Sequence, residues 1–167
     1  MKVFLIAILV LLTFPAAGVP AGSAPEPMVD RILILKSERT MKLYSHNKLV
    51  KEYKVALGGE PVGAKEKYGD HKTPEGSYII DVKNAHSQFH LSLHISYPNQ
   101  QDRERARRLG VSAGGDIMIH GLPPAAAALG ALHRQTDWTD GCIAVTNQEI
   151  EEIWRMVPVG TKVEIKP

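Results

Sequence analysis

Cysteine occurs once in this 167-residue chain, at Cys142, and histidine occurs seven times. A thiol performs acyl chemistry as its thiolate, so it needs an imidazole to take or share the proton. It also needs backbone N–H groups aimed at the oxygen of the attacked carbonyl. His120 is the candidate partner, because Asp116 to His120 reads as a short buried strand and a residue at a strand end projects from a rigid support. Gly141, directly before the cysteine, permits close backbone approach. A Cys and a His 22 positions apart carry little weight alone, and two other readings stand beside the nucleophile. One is a buried cysteine acting as a small apolar side chain. The other is an intermolecular disulfide, since a single cysteine excludes an internal one.

Three further histidines suggest a metal site that local structure removes. His86, His90 and His94 have the spacing that would stack them on a helix. The segment 89–97 instead alternates, with Phe89, Leu91, Leu93, Ile95 and Tyr97 on one face and His90, Ser92, His94 and Ser96 on the other, which is the pattern of a half-buried strand. On a strand His90 and His94 lie about 13 Å apart, too far for one zinc ion. No metal is expected. His94 could line a cleft or face solvent, and Trp138 could stack on a substrate or fill the underside of its loop. Trp154 reads as core, and His71 and His133 carry no readable role.

The supporting elements read as a meander. Arg31 to Lys36, Met41 to Ser45 and Lys48 to Leu57 are expected strands, with turns at 37–40 and His46-Asn47 and a stop at Gly58-Gly59. A loop rich in Gly, Lys and Asp follows from Glu60 to Lys72 and is expected to border something functional. Thr73-Pro74-Glu75-Gly76 then turns the chain into a strand from Ser77 to Val82. Asp102 to Leu109 is a charged helix stopped by Gly110, and Ala125 to Leu132 a small-residue helix. Thr146 and Glu149 fit a capping box opening a helix through Trp154, and Thr161 to Ile165 alternates as a closing strand.

Length and charge bound the rest. Lys2 precedes an uncharged run from Val3 to Ala24, apolar through Phe14, broken by Pro15 and ending in small residues, so residues 1–24 read as a cleaved signal peptide. A retained anchor is the competing reading, but the run is shorter than the ~20 residues that span a bilayer. Residues 25–30 continue a linker rich in Pro, Ala and Gly, and 31–167 suffice for one domain. Without Lys2 the chain carries 19 basic and 18 acidic residues and no basic patch, so nucleic acid is not an expected partner.

Ile119-His120-Gly121, then Thr139-Asp140-Gly141-Cys142-Ile143, then Asn147, together resemble the signature of the L,D-transpeptidase catalytic domain (YkuD-type) family. Thr73-Pro74-x-Gly76, the hairpins ending at Gly58-Gly59 and the closing Val159-Gly160-Thr161-x-Val163 are also similar, so the resemblance spans residues 31–166. It implies a mainly β (α+β) fold, a β-sandwich with a few short helices. It implies Cys142 as nucleophile, His120 as base and Gly121 orienting the imidazole through its carbonyl. The N–H groups of Asp140, Gly141 and Cys142 would form the oxyanion hole. The implied substrate is the peptidoglycan stem peptide, commonly with diaminopimelate at its third residue. A D-alanine is expelled, a thioester forms, and an amine or water resolves it, with no cofactor.

Two residues depart from the family pattern: Asp140 stands where a His is usual, and Ala144 where Arg or Asn is usual. A carboxylate near a thiol disfavours the thiolate. The pair of changes resembles a YafK/ErfK-like branch with a Trp-Thr-Asp-Gly-Cys stretch. Thr139, Trp138, Tyr97 (in a Tyr-Pro-Asn also found in that branch) and His94 are the candidate substrate contacts. Members of that branch are linked to releasing peptides or wall-attached proteins as well as to crosslinking. A hydrolase of the same chemistry is therefore one alternative, and a non-catalytic peptidoglycan-binding module is another. Secretion to the periplasm or cell wall is expected.

Overall fold

The computed structural model describes residues 27–167; the expected signal peptide and the first two linker residues lie outside them. Eight strands form one continuous sheet, in the order β3-β2-β1-β8-β4-β5-β6-β7. They are β1 (Arg31–Leu35), β2 (Thr40–Ser45), β3 (Lys48–Lys54), β4 (Gly76–Ser87), β5 (His90–Ile95), β6 (Met118–His120), β7 (Ile143–Ala144) and β8 (Lys162–Lys166). Two α-helices, α1 (Gln100–Leu109) and α2 (Asn147–Met156), and a 3₁₀ segment (Pro124–Gln135) complete the described residues. Among the described residues no helix is long and apolar enough to cross a membrane.

The layers expected of a sandwich are two halves of this one sheet, which curls until its ends meet. Just after β3, Ala56 donates to the Ala144 carbonyl at 3.0 Å and accepts from the Ala144 N–H at 2.9 Å. The strand next to Cys142 is thus held on both sides, by β6 and by Ala56. Inside the curl lies an apolar core built on Ile32, Ile34, Met41, Leu43, Leu93 and Ile119.

Local chemistry explains most elements. His46 and Asn47 both adopt positive φ, 49° and 64°, the arrangement of a two-residue hairpin turn whose twist matches the strands. Helix α2 opens with the Thr146/Glu149 capping box and buries Ile150, Ile153 and Met156. Asn99 and Asp102 form a second capping box at α1, which ends on Gly110 at φ 67°.

Strand β3 stops three residues short of the expected Leu57 and α1 begins two residues before the expected Asp102, and two further elements differ more from expectation. Strand β4 runs five residues past Val82, to Ser87, because its polar second half needs no buried face: it pairs with β5 alone, through bulged register, while β8 pairs only with 76–79. The Ala-rich helix is a 3₁₀ segment broken at Gly130 (φ 48°, ψ −129°) with no side-chain cap. Each half is too short to sustain α-helical hydrogen bonding.

Candidate active site

Strands β6 and β7 run parallel, with Ile119 opposite Ile143 and His120 opposite Ala144. Cys142 precedes Ala144 by two residues, so its side chain leaves the same sheet face as His120, one cross-strand diagonal away. Strand spacing and rise put the two Cα atoms roughly 8 Å apart, within reach of a cysteine and an imidazole. His120 and Cys142 are thereby brought to one cleft from neighbouring strands.

His120 is buried, and its Nδ1 lies 2.7 Å from the Gly121 carbonyl oxygen. A carbonyl only accepts, so Nδ1 carries the proton and Nε2 keeps its lone pair in the neutral ring. Burial pushes the imidazole pKa below its ordinary value, against the opposing pull of the Gly121 carbonyl. The Phe89 ring stacks on the imidazole at 4.4 Å between centroids, and Trp138 meets it edge-on at 5.9 Å. Gly121 has no room for a side chain: a Cβ would stand 2.6 Å from Asn147 Oδ1 and 3.0 Å from the Phe89 carbonyl oxygen. Asn147 Oδ1 is itself fixed, accepting the Leu122 N–H at 2.6 Å.

The turn before Cys142 is tied to the strand opposite. Asp137 accepts the Leu57 N–H at 2.9 Å and pairs with Arg39, while Gly59 donates to the Thr139 carbonyl at 3.0 Å. Thr139 Oγ1 donates to the Cys142 carbonyl at 2.8 Å and accepts the Gly141 N–H at 3.1 Å. Of the three amides expected to face an oxyanion, that of Gly141 is therefore turned inward onto Thr139. Cys142 is unpaired in the structure, and its thiol donates to the Asp116 carbonyl at 3.5 Å. Burial pushes its pKa up, the carboxylates of Asp140 and Asp116 add to this, and the Met118 amide and Lys65 oppose it.

Around the pair lies a cleft of about 590 Å³ walled by Tyr68, His71, Phe89, Asp116, Trp138 and Asp140. Loop 60–72 forms one side, as expected of it, and is internally braced. Lys65 Nζ sits 2.7 Å from Asp70 Oδ1. Burial works against the Asp70 anion, but Lys65 and the N–H groups of Glu66, Lys67 and Lys72 hold its pKa down to about 2. At the base of the loop, buried Lys36 donates to the carbonyls of Gly63 and Thr73 and pairs with Glu75 at 2.7 Å.

The sequence candidates separate. Trp138 and Thr139 line the cleft with His120, Asp140 and Cys142. Tyr97 does not: it is buried on the core face, donates to the Ala113 carbonyl at 2.8 Å and packs edge-on against Tyr78. Its parity with Leu93 and Ile95 already placed it there. His94 faces outward but lies in the adjoining groove, with Nδ1 2.6 Å from Asp81 Oδ1. Among the described residues no three His, Cys, Asp or Glu side chains gather as metal ligands.

Several cleft residues escaped the sequence. His71, given no role, places Nδ1 2.7 Å from Asp140 Oδ1. Phe89, assigned to the apolar strand face, covers His120 instead. Lys65, Tyr68 and Asp116 also line the cleft. Lys65, Tyr68 and His71 belong to the loop expected to border something functional, but no pattern singles them out within it; Phe89 and Asp116 reach the site through long-range packing. Ala144 is fully buried at the sheet closure, where a larger polar side chain would have to displace core neighbours.

Comparison with known proteins places this architecture. The YkuD family profile, the L,D-transpeptidase catalytic domain, matches residues 29–165. YafK of Escherichia coli strain K12, provisionally named an L,D-transpeptidase, is 32% identical over 133 residues, covering 75% of this chain and 46% of YafK. The chain thus spans about half the length of that relative. Bacillus subtilis YqjB, named in the same provisional way, is 27% identical over 151 residues, 87% of this chain and 76% of YqjB. Among solved structures, the helical cell shape determining protein Pgp2 from Campylobacter jejuni superposes with TM-score 0.66 at 25% identity, covering 87% of this chain and 52% of Pgp2.

Proposed function

Because this chain belongs to the L,D-transpeptidase catalytic domain family, we propose that it is a cysteine acyltransferase acting on peptidoglycan stem peptides, delivered to the periplasm or cell wall by the signal peptide expected at residues 1–24. The observation that carries the mechanism is the hydrogen bond from His120 Nδ1 to the Gly121 carbonyl, at 2.7 Å. It leaves Nε2 as the nitrogen able to accept a proton, one sheet diagonal from the only thiol.

Both pKa shifts oppose charge separation, so the resting pair is neutral thiol and neutral imidazole. Proton transfer from Sγ to Nε2 accompanies attack on the substrate carbonyl rather than preceding it. The Asp140 and Cys142 N–H groups face the developing oxyanion, while the Gly141 N–H stays on Thr139 and stiffens the turn. The imidazolium returns its proton to the departing D-alanine amine, leaving a thioester on Cys142. Trp138, Phe89 and Tyr68 give the acyl chain apolar walls.

The test is mass spectrometry of products from isolated sacculi and from a purified disaccharide-tetrapeptide, beside Cys142→Ala. Loss of D-alanine, with or without a crosslink, supports the reading. Release of a different peptide or of an attached protein moves it to a hydrolase using the same pair. The absence of any Cys142-dependent product refutes it in favour of a peptidoglycan-binding module.

A further inference from the structure

The 3₁₀ segment that joins the end of β6 to the turn before Cys142 inverts the usual rule of burial. Leu129 and Leu132 are exposed, while the one buried residue of its twelve is His133. The segment has no side-chain cap and breaks at Gly130, so contacts outside it must hold its last turn. Arg134 supplies one of them by pairing with Glu149, whose carboxylate also accepts the Thr146 N–H at the start of α2. His133 supplies another, to the wall of the cleft.

Trp138 Nε1 lies 3.4 Å from His133 Nδ1, and the two rings meet at 85° with centroids 6.4 Å apart. An indole N–H only donates, so Nδ1 is the acceptor and the neutral imidazole carries its proton on Nε2. That Nε2 is buried and has no hydrogen-bond partner among the described residues. An unmet buried N–H is destabilising, and an apolar ring of similar shape would fill the site without it. What the imidazole adds is therefore an acceptor for the indole. Burial holds the His133 pKa at about 4, with Arg134 adding to this and Glu149 opposing it, so the acceptor is unprotonated at neutral pH. Trp138 in turn lines the cavity around Cys142, meets His120 at 5.9 Å and lies 6.4 Å from Phe89. With 38% of its surface exposed, the indole is held only partly by packing, and its one polar atom ties its orientation to the segment behind it.

We infer that His133 is a positioning residue for acyl transfer: through Nδ1 it fixes the Trp138 indole as the wall against which the donor peptide lies. It acts from behind that wall and touches neither the substrate nor the reacting atoms. The inference rests on the acyl-transfer reading and adds a determinant of substrate binding outside the cleft.

Two substitutions at one position separate this role from ordinary packing. His133→Phe keeps a ring and removes the acceptor, whereas His133→Asn offers its Oδ1 near the place of Nδ1; His133→Leu repeats the loss of the acceptor if His133→Phe does not fold. The first readout is the Trp138 indole N–H resonance in NMR, identified by its absence from Trp138→Phe. It is expected to move upfield in His133→Phe and to stay near its original position in His133→Asn. The second is steady-state kinetics on the disaccharide-tetrapeptide. KM is expected to rise about five- to tenfold in His133→Phe with kcat little changed, the scale of one hydrogen bond, and to recover in His133→Asn. Alkylation of Cys142 by iodoacetamide, a reagent too small to need the wall, is expected to keep its rate in both. In a Trp138→Phe background, which has no indole N–H, His133→Phe is expected to raise KM no further. An indole resonance unmoved by His133→Phe, or a rise in KM that persists in the Trp138→Phe background, overturns the inference. So does an alkylation rate that falls in step with the KM change, which would make His133 a general support of the site. If the unaltered protein shows no Cys142-dependent turnover, the acyl-transfer reading has failed, and the indole resonance, which needs no substrate, still decides whether His133 holds Trp138.

Discussion

Replacing Gly141 by alanine separates two costs that the turn before Cys142 imposes on its backbone. Gly141 sits at φ 126°, and a Cβ there would stand 2.5 Å from the Lys72 carbonyl oxygen and 3.0 Å from Ile117 Cδ1. The dihedral cost is about 1–3 kcal/mol, since L side chains scarcely enter that region. The contact cost is about 1–3 kcal/mol more, as for overpacking a core, because the obstacle is backbone. Lys72 cannot swing aside: the preceding His71 carbonyl accepts the Glu60 N–H at 3.0 Å. Together these remove about 2–6 kcal/mol from a total on the order of 5–15 kcal/mol, or roughly 6–18 °C of Tm at about 3 °C per kcal/mol. Two alanine variants calibrate the number. Gly110, at φ 67° with nothing within 4 Å, isolates the dihedral cost at about 1–2 kcal/mol. Gly115, with neither a positive φ nor a close neighbour, is expected near zero. Urea unfolding of the three proteins gives the ranking, and alkylation of Cys142 in the folded state shows whether the turn has moved. If Gly141→Ala loses no more than Gly110→Ala, the close-approach argument is wrong.

Acid should destabilise the fold in two stages. His120 and His133, the latter at about 4, have native pKa values below the unfolded one, so the unfolded chain binds more protons as pH falls through about 6.5 and stability drops. Asp70, held at about 2, extends the same loss below about pH 4; urea midpoints from pH 7 to 3 that stay flat would contradict both. Asp140→Asn removes a negative charge that raises the thiol pKa, so the pH profile of Cys142 alkylation is expected to shift to lower pH, and a shift upward would reverse the sign of that argument. Lys36→Ala leaves Glu75 and two carbonyls without their buried cation, which costs about 3–5 kcal/mol. Limited proteolysis should then cut within 60–72 first, whereas cleavage elsewhere would show that Lys36 does not anchor the loop.

Local chemistry was readable wherever one segment decides its own structure. The His46-Asn47 turn, the start of α2 at its Thr146/Glu149 capping box and the alternation of β5 needed only neighbours in sequence, whereas α1 begins two residues before the expected Asp102, at the Asn99 cap. The His120 and Cys142 pair was readable because both side chains sit on or beside short strands that the apolar runs announce. Strand β4 was underestimated because periodicity detects a buried face, and its second half has none. Tyr97 was misplaced for the opposite reason: a family-like tripeptide outweighed a parity that pointed to the core. His71 could not have been found at all, since its partner Asp140 lies 69 residues away and the two meet only when loop 60–72 docks beside Gly58 and Gly141. Asp116 was noticed only as the start of a strand. Its place in the cleft wall follows from the packing of the segment before β6 against the turn at Cys142, which one-dimensional patterns do not carry.

The join between Ala56 and Ala144 makes the Cys142 thiol a sentry for the integrity of the sheet. Any fluctuation that parts this seam uncovers two strand edges at once, each able to recruit another chain. It also frees Cys142 from the neighbours that keep its sulfur protonated. In an oxidising compartment such a molecule is apt to form a disulfide-linked pair stuck together edge to edge, so covalent dimers would record how often the ring has opened.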